Sequence, residues 1–210
     1  MLINKYNLKI TNFCSKNTYK PEINGIYFSE KESIATDGFS LIKVQIPELS
    51  LDDYPILPNE KIVKNPKSFI LPIEEAIKIS KNLPKKKTKL PILENAVILK
   101  QEKDFIEIGS TDLSSVNKTR SYLIEGKYPD YKQVLIKKGK HISITLNVKF
   151  LKRIVDFLNE FSLSNVGPEN QVKIEIPVNK NQPIFFYGKN KDTGQKCEAV
   201  LMPIKEEDNS

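Results

Sequence analysis

The sequence predicts an α+β fold in which units of one helix and several antiparallel strands repeat along the chain. Most of the chain consists of short runs of alternating or β-branched residues, and clusters of Asn, Gly, Pro and Lys interrupt these runs as turns interrupt strands. Two longer stretches carry apolar residues at helical spacing instead. Helices and strands also recur in one order, which indicates an internal repeat.

The strands follow from period-two or β-branched patterns bounded by turn residues. The predicted strands cover residues 23–29, 32–36, 40–46, 67–71, 92–100, 104–109, 118–125, 141–146, 171–177, 183–188 and 195–203.

Two segments are predicted to be amphipathic helices. In 73–83 the apolar residues share one face, and Pro72 and Pro84 mark where the helix begins and ends. In 147–161 apolar residues recur at three- and four-residue spacing, with Asn147 as the N-cap. A weaker pattern predicts a short helix over 8–16.

Two segments about 75 residues apart share one pattern, which supports the repeat. Each opens with a proline and an apolar strand, turns, and continues in a second strand that ends in Thr36-Asp37 or Thr111-Asp112. The last helix and its strands form a third unit without a Thr-Asp pair. Residues 46–68 contain four prolines and are interpreted as a linker, with a degenerate fourth unit as the alternative.

Composition excludes most catalytic classes. Cys14 and Cys197 are far apart, which argues against a disulfide framework or cysteine zinc site and favours a reducing, cytoplasmic setting. His141 is the single histidine, so a Ser-His-Asp triad would have to use this residue, and a metal site with two histidines is excluded. The sequence contains neither a signal-peptide pattern nor a run of about 18 apolar residues, so no membrane association is expected.

Four segments together resemble the bacterial sliding clamp, the β subunit of DNA polymerase III. Ile34 to Leu41 (Ile-Ala-Thr-Asp-Gly-Phe-Ser-Leu) is similar to that family's Ala-Thr-Asp-Gly-His-Arg-Leu stretch, and Glu125 to Tyr131 is similar to its Glu-Gly-Arg-Phe-Pro-Asp-Tyr segment. Leu146 to Leu151 resembles the start of the family's last helix, and Val200 to Ile204 resembles its Val-Met-Pro-Met carboxyl terminus. The four occur in the family's order.

The resemblance implies an abbreviated clamp that is not an enzyme. Residues 1–137 resemble the middle domain, with two units, residues 138–205 resemble the second half of the last domain, and residues 206–210 form a polar tail. A family ring has twelve such units, so chains of three units would close a ring with four copies. Trimeric clamps of other lineages have chains of about this length. The implied partners are double-stranded DNA, and a replicative polymerase and clamp loader that bind through short linear motifs.

Lysines concentrate on the predicted helices, which in a clamp line the hole around DNA. The formal charge of the chain is +7, and such residues would attract phosphates without reading bases. A solvated lysine-rich surface is the alternative interpretation. The candidate DNA-binding residues are Lys78, Lys81, Lys85, Lys86, Lys149, Lys152 and Arg153.

A peptide groove is the second site that the resemblance implies. Aliphatic walls, an adaptable Met and free backbone groups suit an extended peptide, although any one of these residues could belong to the core instead. Phe39, Ser40 and Gln133 replace basic or His residues of the family, so a less acidic motif is expected. The groove residues are Ile23, Thr36, Gly38, Phe39, Ser40, Leu41, Pro129, Gln133, Val134, Gln182 (or Pro183), Val200, Leu201, Met202, Pro203 and Ile204.

No cofactor or metal is expected. Asp37 and Asp112 lack further acidic or His neighbours, and each is interpreted as capping a turn through backbone N–H groups two residues on. Two rival functions remain: a clamp-derived protein that binds clamp motifs without forming a ring, and a basic DNA-binding module without a groove.

Overall fold

The computed structural model describes residues 1–17, 19–50, 52, 54–55, 57–84, 86, 88–135, 139–162, 171–179 and 181–204. The chain divides into two compact units, Met1–Leu135 (unit 1) and Ile136–Ser210 (unit 2).

The described part of unit 1 folds as two four-stranded antiparallel sheets with helices. One sheet has the order β4-β3-β2-β5 and the other β1-β6-β7-β8. The elements are β1 (Leu2–Asn4), α1 (Lys5–Lys9), β2 (Gly25–Phe28), β3 (Glu32–Thr36), β4 (Leu41–Gln45), β5 (Phe69–Pro72), α2 (Ile73–Lys81), α3 (Pro91–Glu94), β6 (Asn95–Gln101), β7 (Phe105–Thr111) and β8 (Val116–Tyr122).

Unit 1 consists of two repeats that exchange their first strands. Repeat 1 is β1-α1-β2-β3-β4 and repeat 2 is β5-α2-β6-β7-β8, with α3 inserted before β6. β1 pairs with β6 of repeat 2, and β5 pairs with β2 of repeat 1. The register is the same in both: the helix N-cap, Asn4 or Pro72, lies opposite the first residue of the partner strand. Each sheet therefore contains three strands of one repeat and one strand of the other.

One apolar core is shared by both repeats of unit 1. Ile3 and Leu8 of repeat 1 belong to the same buried cluster as Leu71, Ile79 and Ile106 of repeat 2. Burial of such side chains contributes about 1.5–3 kcal/mol each, so the two sheets stabilise one another through this cluster.

A buried amide fixes α1 against repeat 1. Asn7 is fully buried, and its Nδ2 donates to Ser33 Oγ at 3.0 Å and to the Gln45 carbonyl at 3.1 Å. Its Oδ1 accepts from the Asn4 N–H, while Asn4 Oδ1 accepts from the Tyr6 and Asn7 N–H groups. This reciprocal capping explains why a helix begins immediately after a three-residue strand.

The described part of unit 2 contains a single repeat, here repeat 3. It comprises α4 (Val148–Phe161), β9 (Lys173–Glu175), β10 (Ile184–Lys189) and β11 (Lys196–Leu201), with the sheet order β11-β10-β9. Asn147 Oδ1 caps α4 by accepting from the Lys149 and Phe150 N–H groups. The core is small and centres on Leu158, Ile184, Phe186 and Leu201.

The structure corrects several sequence predictions. The strand predicted at 141–146 is wrong, because this described segment is not part of a sheet. The strand predicted to begin at 92 begins at Asn95, since Pro91 starts a helical turn there. The first helix is Lys5–Lys9, continued by a 3-10 turn at Ile10–Phe13, rather than 8–16. β1 and α3 were not predicted.

Asn7→Ala should lower the free energy of unfolding by about 1–3 kcal/mol, because it leaves buried partners unsatisfied. Chemical denaturation with both circular dichroism and fluorescence measures this change. Asn117→Ala, on the exposed face of β8, is the matched control and should change stability by less than about 0.5 kcal/mol. Equal effects of the two substitutions would contradict the role assigned to Asn7.

Candidate functional site

A groove of about 730 Å³ lies between α4 and β11 in unit 2. Phe150, Phe157, Val200 and Met202 are exposed in its walls, and Leu201 is buried beneath them. Few polar groups interrupt this surface, so it suits apolar side chains of a ligand. The full lining is Phe150, Arg153, Ile154, Phe157, Ala199, Val200, Leu201 and Met202.

The periodicity of the two elements produces the groove. Phe150, Ile154 and Phe157 recur at i, i+4 and i+7, which places them along one side of α4. The Phe157 ring stacks on Phe161 at 5.6 Å, and the Arg153 guanidinium lies 5.2 Å from the centre of the Phe150 ring. Arg153 therefore supplies a cation at the edge of an otherwise apolar site.

The corresponding positions of repeat 2 carry polar side chains. Counted from the helix N-cap, Phe150 corresponds to Glu75 and Phe157 corresponds to Asn82. Glu75 forms an ion pair with Lys78, and Asn82 Nδ2 donates to Thr119 Oγ1. The apolar site is thus a property of repeat 3.

The sequence predictions found the β11 side of the groove and missed the α4 side. Val200, Leu201 and Met202 were predicted as groove residues, whereas Arg153 was predicted only as a DNA contact. Phe150, Ile154 and Phe157 were predicted only as part of the apolar face of the helix at 147–161. The signal for these residues was the wide apolar arc of this helix.

The remaining predicted groove residues of unit 2 flank its sheet. Gln182 is exposed in the turn before β10, where its N–H donates to the Asn179 carbonyl. Pro183 and Pro203 are half-buried. Ile204 is exposed, and its N–H donates to the Thr145 carbonyl at 2.8 Å.

In unit 1 the predicted groove residues fall into a turn and an aromatic cluster. Leu41 packs beside buried Ile23 in a cluster with Tyr27 and Tyr128, whose rings stack at 4.9 Å. Pro129 and Val134 are exposed, and Gln133 Nε2 donates to Asp130 Oδ2. Ile23 is thus part of the core, and Leu41 is its partly accessible neighbour.

The turn from Thr36 to Ser40 is built by its own side chains. Asp37 Oδ1 accepts from the Phe39 and Ser40 N–H groups, and Thr36 Oγ1 donates to the Ser40 carbonyl. Gly38 has φ +92° and the Phe39 side chain is fully exposed at the tip. Thr111 to Ser115 repeats the same bonds around Asp112. The prediction that both aspartates cap turns is confirmed.

The predicted DNA-binding residues differ in their available charge. Lys78 pairs with Glu75 and Lys152 with Asp156, whereas Lys81, Lys86 and Lys149 are exposed without an ion pair among the described residues. Lys85 lies outside the described residues. The first half of α4 carries Lys149, Lys152 and Arg153 and no acid, so it is the stronger phosphate-attracting surface.

Within the described residues no group of three His, Cys, Asp or Glu side chains could hold a metal ion. No helix of that part is long and apolar enough to cross a membrane.

No protein-family model matches the chain, and no curated protein matches it. Solved structures do. DNA polymerase III subunit beta from Borrelia burgdorferi is 18% identical with a TM-score of 0.65, over 96% of this chain and 47% of that one. A DNA polymerase sliding clamp from Pseudomonas aeruginosa is 14% identical with a TM-score of 0.68, over 97% and 50%. PCNA from Thermococcus kodakaraensis is 14% identical with a TM-score of 0.55, over 94% and 68%.

The chain has the fold of sliding clamps and spans about half the length of the bacterial clamps it matches. The predicted α+β clamp-like fold and the predicted likeness to bacterial clamps are confirmed.

Asp37→Asn together with Asp112→Asn should reduce the loss of stability on acidification. The Ser40 and Phe39 N–H groups hold the pKa of Asp37 below its ordinary value, and those of Ser115 and Ser114 do the same for Asp112. A depressed folded-state pKa stabilises the fold above the ordinary pKa of Asp, and this stabilisation is lost as the pH falls through the depressed value.

Thermal unfolding midpoints at pH 7 and at successively lower pH measure the effect. Asp104→Asn, an exposed carboxylate in the turn between β6 and β7, is the control and should leave the acid sensitivity unchanged. Identical pH profiles for the double variant and the wild type would show that the two turns do not depend on ionised aspartates.

Proposed function

We propose that this protein is a non-catalytic sliding clamp that encircles duplex DNA and tethers a replicative polymerase or clamp loader in the cytoplasm. The observation that carries the proposal is the clamp fold over 96% of the chain, together with the apolar groove between α4 and β11. Neither encircling DNA nor binding a polymerase requires a cofactor.

The proposed mechanism is topological. A closed ring holds DNA without a tight contact, and a bound polymerase gains a high effective concentration at its template. Lys149 and Lys152 at the beginning of α4 would meet phosphates through weak, sequence-independent contacts that let the ring slide. Lys81 and Lys86 would add to this surface in unit 1.

The proposed ligand of the groove is a short extended peptide with large apolar side chains. Phe150, Phe157 and Val200 offer rigid walls, and the Met202 thioether adapts to different side chains. Arg153 at the edge would attract an acidic residue of the peptide. The exposed groups of unit 1, Gly38, Phe39, Ser40, Pro129 and Val134, are proposed to bind other parts of the same partner.

A second candidate is a clamp-derived protein that binds such peptides without closing a ring. It is favoured by α2, where Glu74 and Glu75 offset Lys78 and Lys81 and leave a weak phosphate-attracting face. The two candidates share the groove and differ in whether DNA is encircled.

Met202→Ala should weaken binding of a synthetic peptide with leucine, phenylalanine and one acidic residue by roughly tenfold, since it removes a wall of the groove. Fluorescence anisotropy of a labelled peptide measures the affinity. Val178→Ala changes an apolar side chain that is 88% exposed outside the groove, and it should leave the affinity unchanged. Absence of measurable binding to the wild type at millimolar peptide would remove the groove from the proposal.

Retention on DNA separates the two candidates. Separate chains can assemble around a nicked circular plasmid, and gel filtration then shows whether they remain bound after a wash in high salt, which screens ionic contacts. A ring should remain on the circular plasmid and leave the same plasmid after linearisation. Equal loss from both forms would contradict encirclement and favour the second candidate.

A further inference from the structure

One backbone hydrogen bond occurs at equivalent positions in repeats 2 and 3, and it shows which elements of the two repeats correspond. In repeat 2 the Ile124 N–H, after β8, donates to the Ile70 carbonyl at 3.0 Å, two residues before the N-cap Pro72. In repeat 3 the Ile204 N–H, after β11, donates to the Thr145 carbonyl at 2.8 Å, two residues before the N-cap Asn147. Residues 143–146 therefore occupy the position of β5, and β9 occupies that of β6.

Within the described part of unit 2, neither element has the strand neighbour that its counterpart has in unit 1. β5 pairs with β2, and β6 pairs with β1. Among the described residues, 141–146 form no strand and β9 pairs with β10 alone. The segment nevertheless alternates Ile142, Ile144 and Leu146 with polar residues, which is the pattern of a half-buried strand. Ile142 and Ile174 are each 48% exposed.

The helix of repeat 3 shows the same deficit. α1 packs beside α2 in unit 1, and the described part of unit 2 has α4 without a second helix. Counted from the N-cap, half-buried Ile73 corresponds to Val148, which is 75% exposed, and half-buried Ser80 corresponds to Val155, which is exposed. Val148, Leu151 and Val155 form a stripe on the side of α4 away from the groove residues Phe150 and Phe157.

We propose that a second copy of this chain covers that surface, with the two copies of repeat 3 exchanging residues 143–146 and packing their α4 helices together as repeats 1 and 2 do. The interface is isologous, so each copy covers the same surface of the other. Antiparallel α4 helices would place Lys152 of one copy, which flanks the stripe, near Asp156 of the other, which is complementary in charge. The inference rests on the repeat geometry and not on the peptide groove.

The register of unit 1 gives the proposed pairing across the interface. There the N-cap lies opposite the first residue of the partner strand, and pairing continues outward one residue at a time. With Asn147 opposite Lys173 of the second copy, Thr145 lies opposite its Glu175, as Ile70 lies opposite Tyr27 in unit 1.

Sedimentation velocity over a range of concentrations tests the proposal. The wild type should show a mass of twice 24.0 kDa, or a multiple of that value. Val155→Lys places a charge in the proposed helix contact and should raise the dissociation constant of the pair at least tenfold. Val178→Lys, the same change at an exposed site of the same unit, should not. A wild-type mass of one chain, or equal effects of the two variants, would overturn the proposal.

Interchain disulfide formation tests the register. Thr145→Cys and Glu175→Cys are combined with Cys197→Ser, while burial raises the pKa of the Cys14 thiol to about 12 and keeps it unreactive. Mild oxidation should give a cross-linked dimer on a non-reducing gel, whereas Thr145→Cys with Lys196→Cys, on the opposite sheet edge, should not. Failure of the first pair would overturn the proposed exchange. Peptide anisotropy with Val155→Lys reports on the groove separately, so failure of dimerisation and failure of the proposed function are distinguishable.

Discussion

The exchange of first strands is the constraint on which unit 1 depends. A three-residue strand such as β1 cannot form a sheet by itself, but beside β6 its amides and carbonyls are paired and Leu2 and Ile3 become fully buried. β5 makes the equivalent contribution beside β2. Since each helix begins at the residue that ends its exchanged strand, the exchange also fixes where α1 and α2 start, and it brings them together over one core.

The same constraint explains the surface of unit 2. With one repeat, the described part of unit 2 has one helix over three strands and a core of few side chains. Apolar residues remain accessible on both sides of α4. One side, next to β11, forms the groove, while the other carries the stripe of Val148 and Val155. Large exposed apolar surfaces of this kind mark binding sites.

Much of this fold is predictable from sequence because short-range side-chain bonds define its turns and one of its helix caps. The Thr36-Asp37 and Thr111-Asp112 turns and the Asn147 cap use side-chain bonds to nearby backbone, so sequence alone identifies them. The strand at 141–146 could not be judged that way, because a strand forms only beside a partner and the alternating pattern does not show whether one is present. The α4 wall of the groove was missed for a related reason, since periodicity defines an apolar face but not what covers it.

Hydrogen exchange of unit 1 amides in the full chain tests the central claim most directly, because it measures whether the two repeats open separately or together. If exchanged strands bind the repeats into one cooperative structure, the amides of β1 and β6 and those of β2 and β5 should exchange through one opening with one free energy. Exchange of the β1 and β5 amides at a free energy several kcal/mol below that of the strands beside them would contradict the account.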